Sequence, residues 1–388
     1  MNQETIEKLA SAIVEKRKES EQTDFMKAFT AAQKSATTTP KAPGTDASRL
    51  VRCLAAAKGD TERAARYAEK NLGDEAVAKA LVTGNGEAGG FLVPEQMSTD
   101  IIELLRPRTA VRRMNPQIMP MNSGVLTIPR HNEGAAAGYI GESMAQNAED
   151  SKFGQLRLVW KKLRTAVPIS NELLSFSNPR ADAIVRDDMV RAMAIREDQA
   201  FIRDQGTEYT PKGLRYWADS DNVITAADET TPNGTVAEGE LRELMQAIEG
   251  NNIMMDRPGW MMSPRTKNFL ARLREEIGGE RVFPELQGQE PTLWGFPVAV
   301  TNNIPSNLGA GSDESEIYLV DFAHVIIGES SQMSIEVSDQ ASYTDGDGNL
   351  VSAFDREETV IKAVQHHDLV VRHDAAIAVL TGVKWGSA

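Results

Sequence analysis

In QLRLVWKKLRTAVPIS (Gln155–Ser170), Leu156, Leu158 and Trp160 alternate with Arg157, Val159 and Lys161. A period of two places each set on its own face of an extended chain, so the stretch predicts a strand with one polar face. GVLTIPR (Gly124–Arg130) predicts a second strand, and the intervening HNEGAAAG and YIGES are small and flexible. Two long strands around such a loop predict an extended, projecting hairpin. The period then changes to that of a helix. Ala181, Val185, Met189, Ala192, Ile195 and Ile202 form an apolar stripe, with Asn178 to cap it, Pro179 in its first turn and Gly206 after its end. At 1.5 Å per residue, about 26 residues would run roughly 39 Å, long for a globular helix. Further on, Glu238–Glu249 and Pro264–Ile277 predict helices, while Val298–Thr301, Ile317–Val320 and Ser334–Val337 predict strands. The mixture gives an α+β class without internal repeats.

The first 85 residues have a different texture. Ile6, Leu9 and Ile13 share a helix face amid Glu and Lys, and Phe25, Met26 and Phe29 form a second short apolar group. ATTTPKAPGTDAS (Ala36–Ser48) is a linker without apolar periodicity. Arg49–Leu81 is rich in Ala, Arg, Glu and Lys and broken at Gly59 and Gly73, which predicts two or three short helices. Nothing in this part predicts a large core, so it reads as an arm or accessory segment.

Composition narrows the function classes. The chain has 388 residues, 41% of them hydrophobic, enough for a sizeable core. No apolar run approaches the roughly 18 residues of a membrane helix, and the polar N-terminus lacks the apolar stretch of a signal peptide. A single cysteine, Cys53, excludes an intrachain disulfide framework and suits a reducing compartment. With 42 Lys and Arg against 56 Asp and Glu the net charge is -14, which argues against a dedicated nucleic-acid binder.

Several stretches mimic catalytic or binding motifs. GNGEAG (Gly84, Gly86, Gly89) matches G-x-G-x-x-G, but a helix-like segment precedes it and Pro94 follows where a helix should run, so a hinge is the better reading. TDGDGN (Thr344–Asn349) hints at a calcium loop, yet Leu350 and Arg356 stand where that loop needs Gly and Glu, which leaves a turn. GES at Gly141 and Gly328 is not a nucleophile elbow. Cys53 lies on the apolar side of a short helix and reads as a buried thiol. Met254, Met255, Met261 and Met262 around Trp260 read as core filler.

The densest cluster is VQHHDLVVRHD (Val364–Asp374), which holds His366, His367 and His373 of only five histidines. Its β-branched neighbours predict a strand, on which His366 and His367 point to opposite faces and His366 and Asp368 share one. His367 and His373 then lie ~20 Å apart at ~3.3 Å per residue, too far for a shared metal. His131 and His324 are remote in sequence.

Six stretches in order resemble the tailed-bacteriophage major capsid proteins, the Hong Kong 97 fold family. They are GGFLVPEQ (Gly89–Gln96), IPR with GYIGES (Ile128–Ser143), DSKFGQLRLVWKKLRTAVPISNELL (Asp150–Leu174), DQAFIRDQG with PKGL (Asp198–Leu214), GWMMSPRTKNFLARLREEIGGERVF with LWGFPVAVTNNIP (Gly259–Pro305), and IYLVDFAHVIIGESSQMSIEVS with RHDAAIAVLTG (Ile317–Gly382). The resemblance implies an N-terminal helical segment at 1–85, scaffold-like and cleaved or else retained. It further implies an N-arm at 86–121, an E-loop hairpin at 122–168, a P-domain with the long spine helix at 169–238 and an A-domain at 239–338. P-domain return strands at 339–372 and a C-terminal A-domain segment at 373–388 complete it.

The implied function is a major capsid protein of a phage or prophage, with no enzymatic activity, cofactor or metal. Such a subunit assembles in the host cytoplasm through hexamers and pentamers into an icosahedral shell around double-stranded DNA. Implied partners are further copies, a portal protein, and scaffold, protease or decoration proteins, with no membrane. The implied subunit-contact residues on the hairpin are Arg130, Gly138, Tyr139, Glu142, Lys152, Gln155 and Trp160. Some members of the family join an E-loop Lys to a neighbour's Asn with the help of a Glu. Those positions fall here at Gln155, Thr359 and His366, and Gln has no amine nucleophile. Lys152 lies three residues from Gln155, but the Asn position would still hold Thr359, so a shell without covalent cross-links is expected. Two rivals remain open: a protein-cargo nanocompartment of the same fold, and a metal-dependent hydrolase using His366, His367 and His373.

Overall fold

The computed structural model describes residues 45–57, 60–83, 91–92, 109–121, 123–131, 153–172, 179–251, 253–275, 279–330, 333–346 and 348–387. The apolar groups at Ile6–Ile13 and Phe25–Phe29, the Gly84–Gly89 hinge, the expected cap Asn178, and Gly138, Tyr139, Glu142 and Lys152 lie outside these residues.

The chain begins with α1 (Thr45–Ala56), α2 (Thr61–Tyr67), which runs on into a π turn at Ala68–Leu72, and α3 (Glu75–Thr83). Next come β1 (Phe91–Leu92), α4 (Ala110–Arg113), β2 (Gln117–Pro120), β3 (Val125–His131), β4 (Phe153–Val159), β5 (Lys161–Ser170) and the long α5 (Pro179–Arg203). The middle of the chain supplies α6 (Leu214–Trp217), β6 (Val223–Thr225), α7 (Gly234–Glu249), β7 (Pro258–Met262), α8 (Pro264–Arg272), β8 (Thr292–Leu293), β9 (Phe296–Val300) and β10 (Ser315–Asp321). It closes with β11 (Val325–Glu329), β12 (Ser334–Ser338), β13 (Ser342–Thr344), β14 (Leu350–Ser352), β15 (Glu358–Val371) and β16 (Ile377–Val383).

Two six-stranded sheets organise the body. In the first, the 14-residue β15 is the axis: β5 pairs with Glu358–His367, β12 with Val360–Val364, β11 with His367–Val371, and β1 and β2 lie outside β12 and β11. The second sheet runs β6-β16-β10-β7-β9-β8. Its side chains alternate between two cores. Trp260, Met262, Ile317, Leu319, Ala378 and Leu380 pack beneath α7 and α8, while Met261, Tyr318, Val320, Ile377 and Val379 pack toward Phe201, Ile202, Ile327 and Leu369. Every residue of β10 is buried, because both faces of a central strand meet protein. The α8 cap is local: Ser263 accepts from the Thr266 N–H, and Pro264 sits in the first turn.

Several expectations need correction. Gln155–Ser170 is not one strand but two, divided at Trp160, with β4 in the hairpin and β5 in the first sheet. The helix expected over Pro264–Ile277 stops at Arg272, where Leu273 turns extended. Met254 is 81% exposed, outside the core that takes Trp260, Met261 and Met262. On α5, Ala192 and Ile195 face solvent, and the buried stripe is Met189, Val190, Met193, Ala194, Glu197, Asp198, Phe201 and Ile202. These pairs recur every four residues, and two of the eight positions are acidic; their partners lie far away in sequence. The linker ends earlier than expected, since α1 already begins at Thr45. The opening helices are also more than an accessory segment: Leu50, Cys53, Leu54, Ala64, Val77 and Leu81 share one core with α5 and the first sheet. TDGDGN does turn the chain between β13 and β14, with the Asp345 side chain accepting from the Asn349 N–H.

Candidate functional site

The hairpin β3–β4 is a two-stranded sheet of its own, paired from Val125 opposite Val159 to His131 opposite Phe153. Its root is gripped by β15. The Asp368 carboxylate accepts from the Val159 N–H at 2.9 Å, and the Trp160 ring stacks on His366 with centroids 4.8 Å apart. The Trp160 indole N–H donates to the Met121 carbonyl at 2.7 Å, and its backbone N–H donates to Gly124, whose φ of 81° brings β3 in tightly. Lys161 reaches the carbonyls of Thr207 and Glu208 at 3.0 Å. These contacts break the strand at Trp160. As the period of two predicts, His366 and Asp368 share a face, and that face holds the hairpin. Burial, with Lys162 adding to it, lowers the pKa of His366; burial raises that of Asp368 against its two backbone hydrogen bonds.

On the other face, His367 enters a buried junction of four elements. Arg112 of α4 donates to Glu197 of α5 and, at 2.7 Å, to Glu329 of β11. His367 Nδ1 lies 3.8 Å from Glu197, and its ring tilts against Phe201 at 4.9 Å. Burial opposes the charge on Arg112, but the two carboxylates more than offset this and hold its pKa above the ordinary value. Burial, reinforced by Arg112, pushes His367 down to about 3, so it is a neutral ring at ordinary pH. The adjacent Asp198 accepts from the Val111 N–H at 3.1 Å and from Asn303 at 3.0 Å. It thereby ties the second sheet's loop and α4 to α5. Burial raises its pKa, those hydrogen bonds opposing. Sequence reading missed this junction; the signal was an acidic pair, Glu197 and Asp198, in phase with an apolar stripe.

His373 belongs to neither group. It meets His324 edge-on with centroids 5.0 Å apart, beside the Arg130–Asp374 ion pair at 3.3 Å. The three histidines of the cluster thus occupy three separate environments. Among the described residues no group of three or more His, Cys, Asp or Glu side chains could hold a metal ion. Of the cross-link positions, Gln155 is exposed on β4, and Thr359 is buried with its hydroxyl donating to Asn171 at 2.6 Å. His366 lies under Trp160. Arg130 and Trp160, expected at subunit contacts, are engaged within their own chain. The arrangement holds elements together rather than presenting a reacting group.

The comparisons agree with that geometry. A major capsid protein of Klebsiella oxytoca phage phiKO2 is 38% identical over 343 residues, covering 88% of this chain and 79% of the relative. A capsid polyprotein of Pseudomonas phage PAJU2 is 26% identical over 83% of this chain, which spans 49% of that longer protein. Among solved structures, a chain from Mycobacterium phage Adephagia matches 72% of this chain and 91% of its own at TM-score 0.52 and 16% identity. The capsid of an empty GTA particle matches 71% and 90% at TM-score 0.53 and 14% identity. At such identities the likeness speaks for the fold alone, the Hong Kong 97 type of α+β architecture. Residues 89–382 match the family described as the phage capsid family, and the chain belongs to it.

Proposed function

We infer that this chain is the major capsid protein of a tailed phage, a structural subunit that closes with copies of itself into a shell. The observation that carries this reading, beyond family membership, is the hairpin β3–β4, a separate two-stranded sheet that packs one face on the body and leaves the other open. Val125 and Val159 face each other across it, 39% and 36% exposed. A two-stranded ribbon is marginal in water, so contacts of its open face with neighbouring subunits add to the support that its packed face finds within the subunit. Many modest contacts of this kind act together in a closed assembly.

The finer reading follows the family. The subunits form hexamers and pentamers in the host cytoplasm and enclose double-stranded DNA, with portal, scaffold, protease or decoration proteins as partners. An acidic wall, net charge -14, favours enclosure over tight binding of the packaged DNA. The proposed organisation keeps the N-arm at 86–121, E-loop at 122–168, P-domain at 169–238 with 339–372, and A-domain at 239–338 with 373–388. The shell has no covalent cross-links, since Gln155, Thr359 and His366 stand at the cross-linking positions. Electron microscopy of the purified protein should show round shells of uniform size; monomers at all concentrations and salts would sink the reading. Boiled in denaturant, particles should run as monomer, and a ladder of oligomers would overturn the cross-link part alone.

A further inference from the structure

The family match begins at Gly89, yet the described residues ahead of it, 45–57 and 60–83, are built into the same body. Leu50, Cys53, Leu54 and Ala57 of the α1 region, Ala64, Ala65 and Ala68 of the next turn of chain, and Val77 and Leu81 of α3 are all buried. They do not form a core of their own. They share one cluster with Met189, Val190, Met193 and Ala194 of α5, with Val167, Ile169, Ile335, Ile361 and Ala363 of the first sheet, and with Met333 just ahead of β12. A helical unit this short cannot bury enough surface to stand alone, so its stability comes from the body. The converse also holds. Taking the unit away would uncover the apolar face of α5 and of the sheet.

The unit is also fitted together internally. Arg49 of α1 pairs with Asp74, 6% exposed, at 2.7 Å, which ties the first helix to the turn before the third. Asp60 caps α2 through the N–H groups of Glu62 and Arg63. Gly73, at φ 61°, makes the left-handed turn into α3. The phiKO2 relative points the same way. Its 343 matched residues exceed the 300 from Gly89 to Ala388, so at least about 40 of them precede Gly89.

We propose that Thr45–Thr83 is a permanent layer of the mature subunit, seated on α5 and the first sheet, and that any removal of N-terminal chain during assembly stops ahead of Thr45. The alternative, a detachable scaffold running to about residue 85, would discard nine buried apolar residues and strip a packed face. Only the word "mature" rests on the shell reading; the packing itself does not.

The chain's single cysteine lies in this unit and is fully buried, so it reports both retention and packing. Particles made from the full chain are treated with a maleimide mass tag, natively and in denaturant. Denatured particles should take one tag per subunit. Native particles should label roughly 100-fold more slowly, because Cys53 is reached only by local opening. Leu54→Asp, which places a carboxylate in the shared core, should raise the native labelling rate toward the denatured one. Denatured subunits without a tag would show that the unit is removed, and rapid native labelling that it is present but not seated; either overturns the proposal. If no particles form, the shell reading fails, while the same labelling of the unassembled chain still decides the packing.

Discussion

The second sheet and the β3–β4 hairpin are both built from alternating apolar positions, but they end in opposite states. In the sheet, Tyr318 and Leu319 point to opposite faces and both are fully buried. In the hairpin, Leu156 and Leu158 are buried against Met121, Ile326 and Val370, whereas Val125 and Val159 stand open on the other side. A strand's sequence sets what each face offers; whether a face is filled depends on what the fold brings to it. The sheet is complete within one subunit. The hairpin is filled on the face that carries Leu156 and Leu158, while its other face, with Val125, Thr127, Arg157 and Val159, stays open in the single subunit.

Substitutions should separate the two regions, beginning with the largest effect. Trp260→Ala empties a fully buried site in the second sheet and should cost about 4–5 kcal/mol, measured by urea unfolding of the unassembled subunit. A cost below about 1 kcal/mol would mean that the sheet is not the independent core described. Arg112→Ala comes next, at about 3–4 kcal/mol, because it leaves Glu197 buried beside His367 without its cation.

Acid should act on the same junction. The folded pKa of His367 lies near 3, below the ordinary value of 6.5, so the fold favours the neutral ring. That stability is fully present above pH 6.5 and is lost as pH falls toward 3. The expected loss between pH 6.5 and 5 is roughly 1–2 kcal/mol. His367→Leu should flatten this part of the profile, and an unchanged slope would assign the acid sensitivity elsewhere. At the hairpin root, Trp160→Phe removes the N–H that donates to the Met121 carbonyl and should cost about 1 kcal/mol. The smallest effect on the subunit belongs to Val125→Ser with Val159→Ser. This exposed pair should change unfolding by less than about 0.5 kcal/mol while sharply lowering the yield of shells. Equal yields from wild type and the double variant would remove the hairpin from the assembly interface.

How much of this was legible in the sequence varies by element. The α5 helix, the β3 and β4 strands, the turn at Asp345 and the shared face of His366 and Asp368 follow from local periodicity and turn chemistry. The break at Trp160 does not, because alternation continues through Leu156, Leu158 and Trp160; it is made by Met121, Gly124 and His366, distant in sequence. The buried phase of α5 escapes local periodicity for a similar reason. Glu197 and Asp198 look like solvent positions until Arg112, Val111 and Asn303 arrive to partner them.

The sequence by itself determined the element types, the family through six ordered stretches, and the residue types at Gln155, Thr359 and His366. All of these are local properties, fixed by side-chain spacing and identity. That the three clustered histidines part company already follows from the strand's period; tertiary structure decided what each one meets, His366 under the hairpin, His367 in the buried junction and His373 against His324. It alone seated Thr45–Thr83 in the core. The physical reason is common to both: burial and charge pairing are set by groups that meet in space, and no periodicity along the chain encodes the partner.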